Sequence, residues 1–141
     1  MKIGTVEIRS RIFLARLEGP SPVAFRILCK KYGAGAIASH PFIAKDVIKN
    51  GCDLNIYLGN EPLICHLFGN DPDEIAKAAK IIDDNPHGQI IALNFADVNE
   101  VMHKIKCGSY MLQFPEKIGE AIKKTKAIVK KPVIVVIRLG Y

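Results

Sequence analysis

The sequence predicts an α/β protein built on a parallel sheet, and two observations carry that expectation. From Ile12 onward, apolar runs of strand length alternate with helical patterns over short links. Strand, helix, strand order of this kind folds into right-handed βαβ units on a parallel sheet. The run at 12–15 is also continuously apolar, as in a strand covered on both faces. Counting from Ile12 gives five main strands and about four helices. A closed eight-stranded barrel takes about 250 residues, and this chain has 141. The pattern alone therefore leaves a partial barrel and a doubly wound open sheet side by side.

The elements follow in order. Lys2-Ile3 and Val6-Glu7-Ile8 read as short strands around a Gly4-Thr5 turn, and Ser10-Arg11 leads into the strand at 12–15. Ser21 suits a helix N-cap and Pro22 the first helical position. Val23, Ile27 and Leu28 share one face of that helix, and Gly33 stops it behind Lys30 and Lys31, which suit its negative end. Gly33-Ala34-Gly35 reads most simply as the helix stop. A strand is expected at 36–39 and a short helix at 43–48 before Asn50-Gly51. The stretch 52–61 resists assignment, with a possible short strand at 54–58.

The strand at 62–68 ends at Gly69. Asp71-Pro72-Asp73-Glu74 is a strong helix start, because Asp71 can cap the amide of Glu74 and Pro72 fits the first position. Ile75, Ala78, Ala79 and Ile82 form its apolar face. A strand at 89–93 follows, then a helix from Pro115 to Val129 with Ile118, Ala121, Ile122 and Ile128 inward. A last strand covers 132–137.

Composition narrows the class. Hydrophobic residues make up 49% of the chain, which fits a globular core and not a disordered segment. No apolar run approaches the roughly 20 residues that span a bilayer, and the opening Met1-Lys2-Ile3-Gly4 lacks a signal peptide's apolar region. A cytoplasmic protein is expected, partnering neither membrane nor DNA. Cys29, Cys52, Cys65 and Cys107 form no C-x-x-C pair, so structural zinc and redox motifs find no support. Cys29 and Cys65 lie in apolar runs and are expected to be buried thiols. The net charge of +6 suits a polyanionic partner such as RNA, or simply a lysine-rich solvated surface. Neither a Walker motif nor a G-x-G-x-x-G is present.

Several segments, in order, resemble the tRNA-dihydrouridine synthases, which are FMN-dependent TIM-barrel proteins. Lys2-Ile3-Gly4 with Arg11-Ile12-Phe13-Leu14-Ala15 is similar to that family's opening hairpin and first barrel strand. Phe25-Arg26-Ile27-Leu28-Cys29-Lys30-Lys31-Tyr32-Gly33-Ala34-Gly35 resembles its first helix. Leu67-Phe68-Gly69 with Asp71-Pro72 looks like the end of its third strand. Asn94 and then Gly108-Ser109 match its fourth-strand loop, and Ile137-Arg138-Leu139-Gly140 looks like the end of its fifth strand. The resemblance implies a partial (β/α)8 barrel of about five strands and four helices, forming one truncated domain over 1–141. The family's last three strands and its helical RNA-binding domain have no counterpart here.

The family binds FMN at the C-terminal strand ends, passes hydride from reduced flavin to a uracil of tRNA, and takes a proton from a loop cysteine. Carried over position by position, the resemblance gives a degenerate site. The family's Ala-Pro-Met under the flavin is here Ala15-Arg16-Leu17. Its isoalloxazine-binding glutamine is His66, which can still donate or accept. Its fourth-strand asparagine is kept as Asn94. Its fifth-strand lysine is Val136, which has no charge to offer a reduced flavin. Its catalytic loop Gly-Cys-Pro is Ala96-Asp97-Val98, so the proton donor aligns with Asp97, and Cys107 is the nearest alternative thiol.

The cofactor-binding positions are thus Ala15, Arg16, Leu17, His66 and Asn94, and the catalytic ones Asp97 and Cys107. FMN and tRNA are the implied cofactor and partner. The leading expectation is a binding or assembly protein without the family's full reductase activity. The alternative is an FMN-dependent tRNA-dihydrouridine synthase whose barrel is completed by a second copy or another chain, since open strand edges invite pairing. Two further constellations bear on ligands. His40, His66 and Asp97 have the composition of a two-His-one-carboxylate metal set, against ordinary polar residues at a barrel mouth, and no metal is assigned. The lysines from Lys123 to Lys131 read as a solvated face, with no aromatic residue interleaved to stack bases.

Overall fold

The computed structural model describes residues 1–17, 23–54 and 62–140. The expected cap at Ser21 and Pro22 and the possible strand at 54–58 lie outside those residues, apart from Leu54. A two-stranded antiparallel hairpin, β1 (Lys2–Ile3) with β2 (Val6–Glu7), precedes a five-stranded parallel sheet. Its strands run in sequence order: β3 (Phe13–Leu14), β4 (Ala36–Ile43), β5 (Leu63–Phe68), β6 (Ile90–Asn94) and β7 (Val133–Val136). Sequential order with every pair parallel is the order of a barrel wall, and the sheet curls as part of one. A doubly wound sheet would reverse direction at a switch point, and this one does not.

The two faces of the sheet are packed differently. On the inner face Ile8, Ala36, Ile64, Ile90 and Ala92 cluster with Ile3, Val6, Ile134 and Val136, so the hairpin packs against the inner face of the sheet. On the outer face Leu63, Cys65, Leu67, Ile91, Leu93 and Phe95 meet the helices. These are α2 (Ala44–Asn50), α3 (Pro72–Asp84) and α5 (Pro115–Ile128), with α1 (Val23–Lys31) touching the sheet at β4.

Helix α3 forms as its sequence demands. Asp71 accepts hydrogen bonds from the amides of Asp73 and Glu74 at 2.9 and 3.0 Å, a cap of about 1 kcal/mol. Ile75, Ala78, Ala79 and Ile82 are all buried. At its other end Lys131 donates to the carbonyls of Ile82 and Asn85, and Asp83 accepts from the amides of Lys130 and Lys131. Lys124 pairs with Asp73 and Glu120. Part of the basic run therefore secures α3 and α5.

Other elements depart from the sequence pattern. Helix α1 buries Arg26, while Ile27 and Leu28 are each 48% exposed. The helix touches the sheet through β4, and the short β3, with β4 as its one neighbour among the described residues, gives its apolar side little to pack on. Cys29 is half-buried for the same reason, whereas Cys65 is fully buried. Ile128 is exposed, and the buried residue in that part of α5 is Thr125. A short helix α4 (Glu100–Lys104) and a 3-10 helix (Gly108–Gln113) fill a stretch with no strong sequence period.

Gly33, with φ +95°, is the helix stop, but Gly35 has a separate duty. A Cβ there would lie 2.3 Å from the backbone oxygen of Ser10. Its amide meanwhile donates to Ile12 at 2.8 Å. Gly35→Ala is therefore expected to cost about 2 kcal/mol by forcing two backbones apart. Urea unfolding checks this, with Gly119→Ala as control, where nothing lies within 4 Å.

Candidate functional site at the C-terminal strand ends

Side chains alternate along a strand, so residues two apart share a face. Ile64 and Ala92 belong to the inner cluster, which places His66 and Asn94 on the inner face, nearer the C-terminal ends of β5 and β6. His66 pairs in register with Ala92, and Asn94 with Val136. His66, Asn94 and Val136 thus line one side of the barrel mouth, with Val136 contributing only hydrocarbon.

The hydrogen bonds fix how the two polar groups are presented. Asn94 Oδ1 accepts from the amide of Ala96 at 3.0 Å, so its Nδ2 faces His66 Nδ1, 3.1 Å away. An amide nitrogen can only donate, so His66 Nδ1 accepts and the ring proton sits on Nε2. Burial holds the His66 pKa down to about 4, with the Arg16 charge adding to the depression and Asp97 opposing it. At neutral pH His66 is a neutral imidazole with an Nε2–H to offer. Its backbone amide donates to Ser39 Oγ at 3.0 Å, and that hydroxyl donates to the His40 carbonyl at 2.6 Å.

Across the mouth stands an ion pair. Arg16, just after β3, meets Asp97 Oδ2, just after β6, and the two side chains are 14% and 7% exposed. The guanidinium carbon lies 5.6 Å from the centre of the Phe68 ring. Asp97 Oδ1 accepts from the Asn99 amide at 2.9 Å, and its carbonyl accepts from the Ser109 amide at 2.8 Å. Gly108 makes that closure possible. Its φ is +63°, and a Cβ there would lie 2.5 Å from the Asp97 carbonyl oxygen. Both carboxylate oxygens therefore act as acceptors, and a proton on either would sacrifice one of those bonds.

Arg16, His66, Asn94 and Asp97 come together as one group. Ala15 and Leu17 flank it as exposed residues. Cys107 packs in a different cluster, with Phe68 and Met102, where burial pushes its thiol up to about 11. The His40, His66 and Asp97 metal set is not assembled. The His40 ring lies tilted against Phe42, ring centres 4.3 Å apart, and Phe42 belongs to the helix-side core. A register shift in β4 between Ala38 and Pro41 separates this part of the strand from the regular alternation. Among the described residues, no group of three or more His, Cys, Asp or Glu is placed to hold a metal ion. Sequence reading missed Ser39 and Phe68, whose roles follow from register with neighbouring strands and leave no local pattern.

Parallel strands in sequential order, helices outside, and polar side chains gathered at the C-terminal strand ends define the class as a partial (β/α)8 barrel. The model of the family described as dihydrouridine synthase (Dus) matches residues 13–141, and the chain belongs to that family. It is similar to the probable tRNA-dihydrouridine synthase of Aquifex aeolicus (strain VF5), 32% identical over 139 residues, covering 94% of this chain and 44% of that protein. It is also similar to the tRNA-dihydrouridine synthase B of Pasteurella multocida (strain Pm70), 30% identical over 145 residues, covering 100% of this chain and 43% of the relative. The tRNA-dihydrouridine synthase B of Escherichia coli (strain K12) is 29% identical, with 100% and 45% covered. The chain thus spans less than half the length of these relatives. No helix among the described residues is long and apolar enough to cross a membrane.

Proposed function

We propose that this chain is a dihydrouridine-synthase-like partial barrel that works as a binding or assembly unit and not as a complete uridine reductase. The observation that carries the reading is the Arg16–Asp97 ion pair, which joins the ends of β3 and β6 across the mouth with the guanidinium over Phe68. The group at the mouth does not suit FMN. Among its described residues the only cation, Arg16, is already paired, Val136 is uncharged, and the inner-face donor with a free direction is the His66 Nε2–H. Asp97 is committed as an acceptor, which removes it from proton donation to a substrate ring. Assembly is supported by the open edges, since β3 and β7 each have a single neighbour among the described residues. Ile12, Ile137 and Leu139 near those edges are 71%, 63% and 104% exposed. Such edges favour pairing with a second copy or a partner chain. A strictly monomeric mass in sedimentation velocity at tens of micromolar would remove the assembly half of the proposal.

A second reading is favoured by His66 and Asn94, which keep hydrogen-bonding groups on the inner face, together with the similarity to tRNA-dihydrouridine synthases. It is an FMN-dependent tRNA-dihydrouridine synthase completed by another chain. The visible spectrum of the protein titrated with FMN, followed by the dihydrouridine content of tRNA incubated with protein, FMN and reductant, separates the two. The proposal expects an unperturbed flavin spectrum and no dihydrouridine. A saturable spectral shift together with dihydrouridine formation would establish the second reading instead.

A further inference from the structure

A separate cavity of about 520 Å³ opens beside the mouth, between the start of α2, the β5–α3 turn and α4. Its walls are mostly apolar, including Ile43, Val101, Met102 and Ile105. None of Arg16, His66, Asn94 or Asp97 lines it. The buried Phe68 ring packs with Ile43, Met102 and Cys107, which line the cavity, and also lies beneath Arg16. Phe68 is thus the partition between cavity and mouth.

The cavity runs into a second, more polar depression of about 380 Å³, with Lys45, Asn70 and Glu74 common to both. The second depression adds Lys106, Lys117, Tyr110 and Phe114. Three lysines therefore converge from α2, from the turn after α4 and from α5. None of them has a salt-bridge partner among the described residues, whereas Lys80 and Lys124 are each bridged twice. Lys106 is held in the left-handed region, at φ 58°, the one non-glycine residue so placed among those described. The Asn70 side chain fixes this turn by donating to the Ile105 carbonyl at 2.9 Å. Lys117 lies 5.2 Å from the Phe114 ring centre, which orients its charge. The Asp71 carboxylate accepts from its own helix amides and also feels the Lys117 charge, so Asp46, Asp71 and Glu74 are the opposing charges, and the second depression keeps an excess of lysine over carboxylate.

A half-open, mostly apolar cavity of this size with a few convergent polar groups is the ordinary form of a small-molecule site. Here the polar end is cationic. We propose that the joined depressions bind a small anionic amphiphile, its apolar body between Ile43, Met102 and Ile105 and its phosphate or carboxylate head among Lys45, Lys106 and Lys117. This site stands independently of the mouth and of either reading of it. An aromatic body with a phosphate and an aliphatic chain with a carboxylate meet the same chemistry.

The test uses the whole chain and the fluorescent anionic aromatic probe 1-anilinonaphthalene-8-sulfonate. Saturable binding at one site per chain is expected. Lys45→Gln with Lys117→Gln should weaken it about tenfold through loss of charge-assisted contacts. Val101→Trp, at a 61% exposed position on the rim, should block the cavity while thermal unfolding stays unchanged. Displacement by decanoate assigns an aliphatic body and displacement by uridine monophosphate an aromatic one. Failure of both competitors overturns the proposal. Equal probe binding by the wild type and both variants also overturns it, because the probe would then be reporting the exposed sheet edges.

Discussion

Asp97→Ala is expected to cost about 3 kcal/mol of stability, the low end of the usual penalty for removing one partner of a buried ion pair, since both residues are partly buried. The loss comes less from the attraction itself than from what stays behind. The Arg16 guanidinium, at a site where its side chain is 14% exposed, would remain beside Phe68 and the neutral His66 with no anion. The Asn99 amide would lose its acceptor as well. Against a typical total of 5–15 kcal/mol for a domain, that is a severe change. Arg16→Met combined with Asp97→Asn should recover most of it. The charge is then gone from both sides, methionine keeps much of the arginine's contact with Phe68, and asparagine can still accept from Asn99. Urea midpoints for Arg16→Met alone, Asp97→Asn alone and the double variant measure the coupling. Costs that simply add would show that the pair is incidental to the mouth.

The same pair supports the proposed reading of the mouth as a closed joint. The residues it ties together are 81 apart in sequence and lie at the ends of β3 and β6, with β4 and β5 between them. A contact of that span braces an open sheet against flexing. A ligand entering the mouth would have to replace the carboxylate with an anion of its own or leave the guanidinium unpaired.

Much of this fold was legible in the chain because its signals are local. Asp71-Pro72 marks a helix start whatever surrounds it, and the apolar runs behind β5 and β6 admit only a buried strand or a buried helix, which their length decides. The burial pattern of α1 was not legible. Whether Ile27 and Leu28 find cover depends on what lies beyond the β3 edge, and that is a property of the sheet and not of the helix. The site was legible as positions but not as interactions. Arg16, His66, Asn94 and Asp97 each followed from the family resemblance. That the first and last of them neutralise one another, and that Asn94 sets the His66 tautomer, follows only from strand register. The three unpaired lysines gave even less signal, since Lys45 is about sixty residues from Lys106 and each looks like ordinary surface charge. His40 shows the opposite error. Its place at the end of the second barrel strand suggested the mouth, but the irregularity in β4 and the tilted contact with Phe42 turn it toward α2.

Acidification should expose the cost of keeping His66 neutral. Its folded pKa is about 4 against an ordinary 6.5. Between those values the unfolded chain binds a proton that the folded chain refuses, so stability falls as pH falls. The contribution is intact above pH 6.5 and is lost progressively down to about pH 4, for a total of roughly 3 kcal/mol. Burial is the main cause, the Arg16 charge adds to it, and Asp97 works the other way. His40 is depressed too, first by burial and then by Arg26, so it slopes in the same direction. The comparison must therefore be between the wild type and His66→Gln, which leaves His40 in place and keeps an acceptor for the Asn94 amide. Unfolding free energies at pH 7 and pH 4.5 should differ less in the variant, by most of the His66 share. Parallel pH profiles for the two proteins would mean that the His66 ring takes up its proton without resistance, and that the mouth is wetter and more open than the Arg16–Asp97 joint implies.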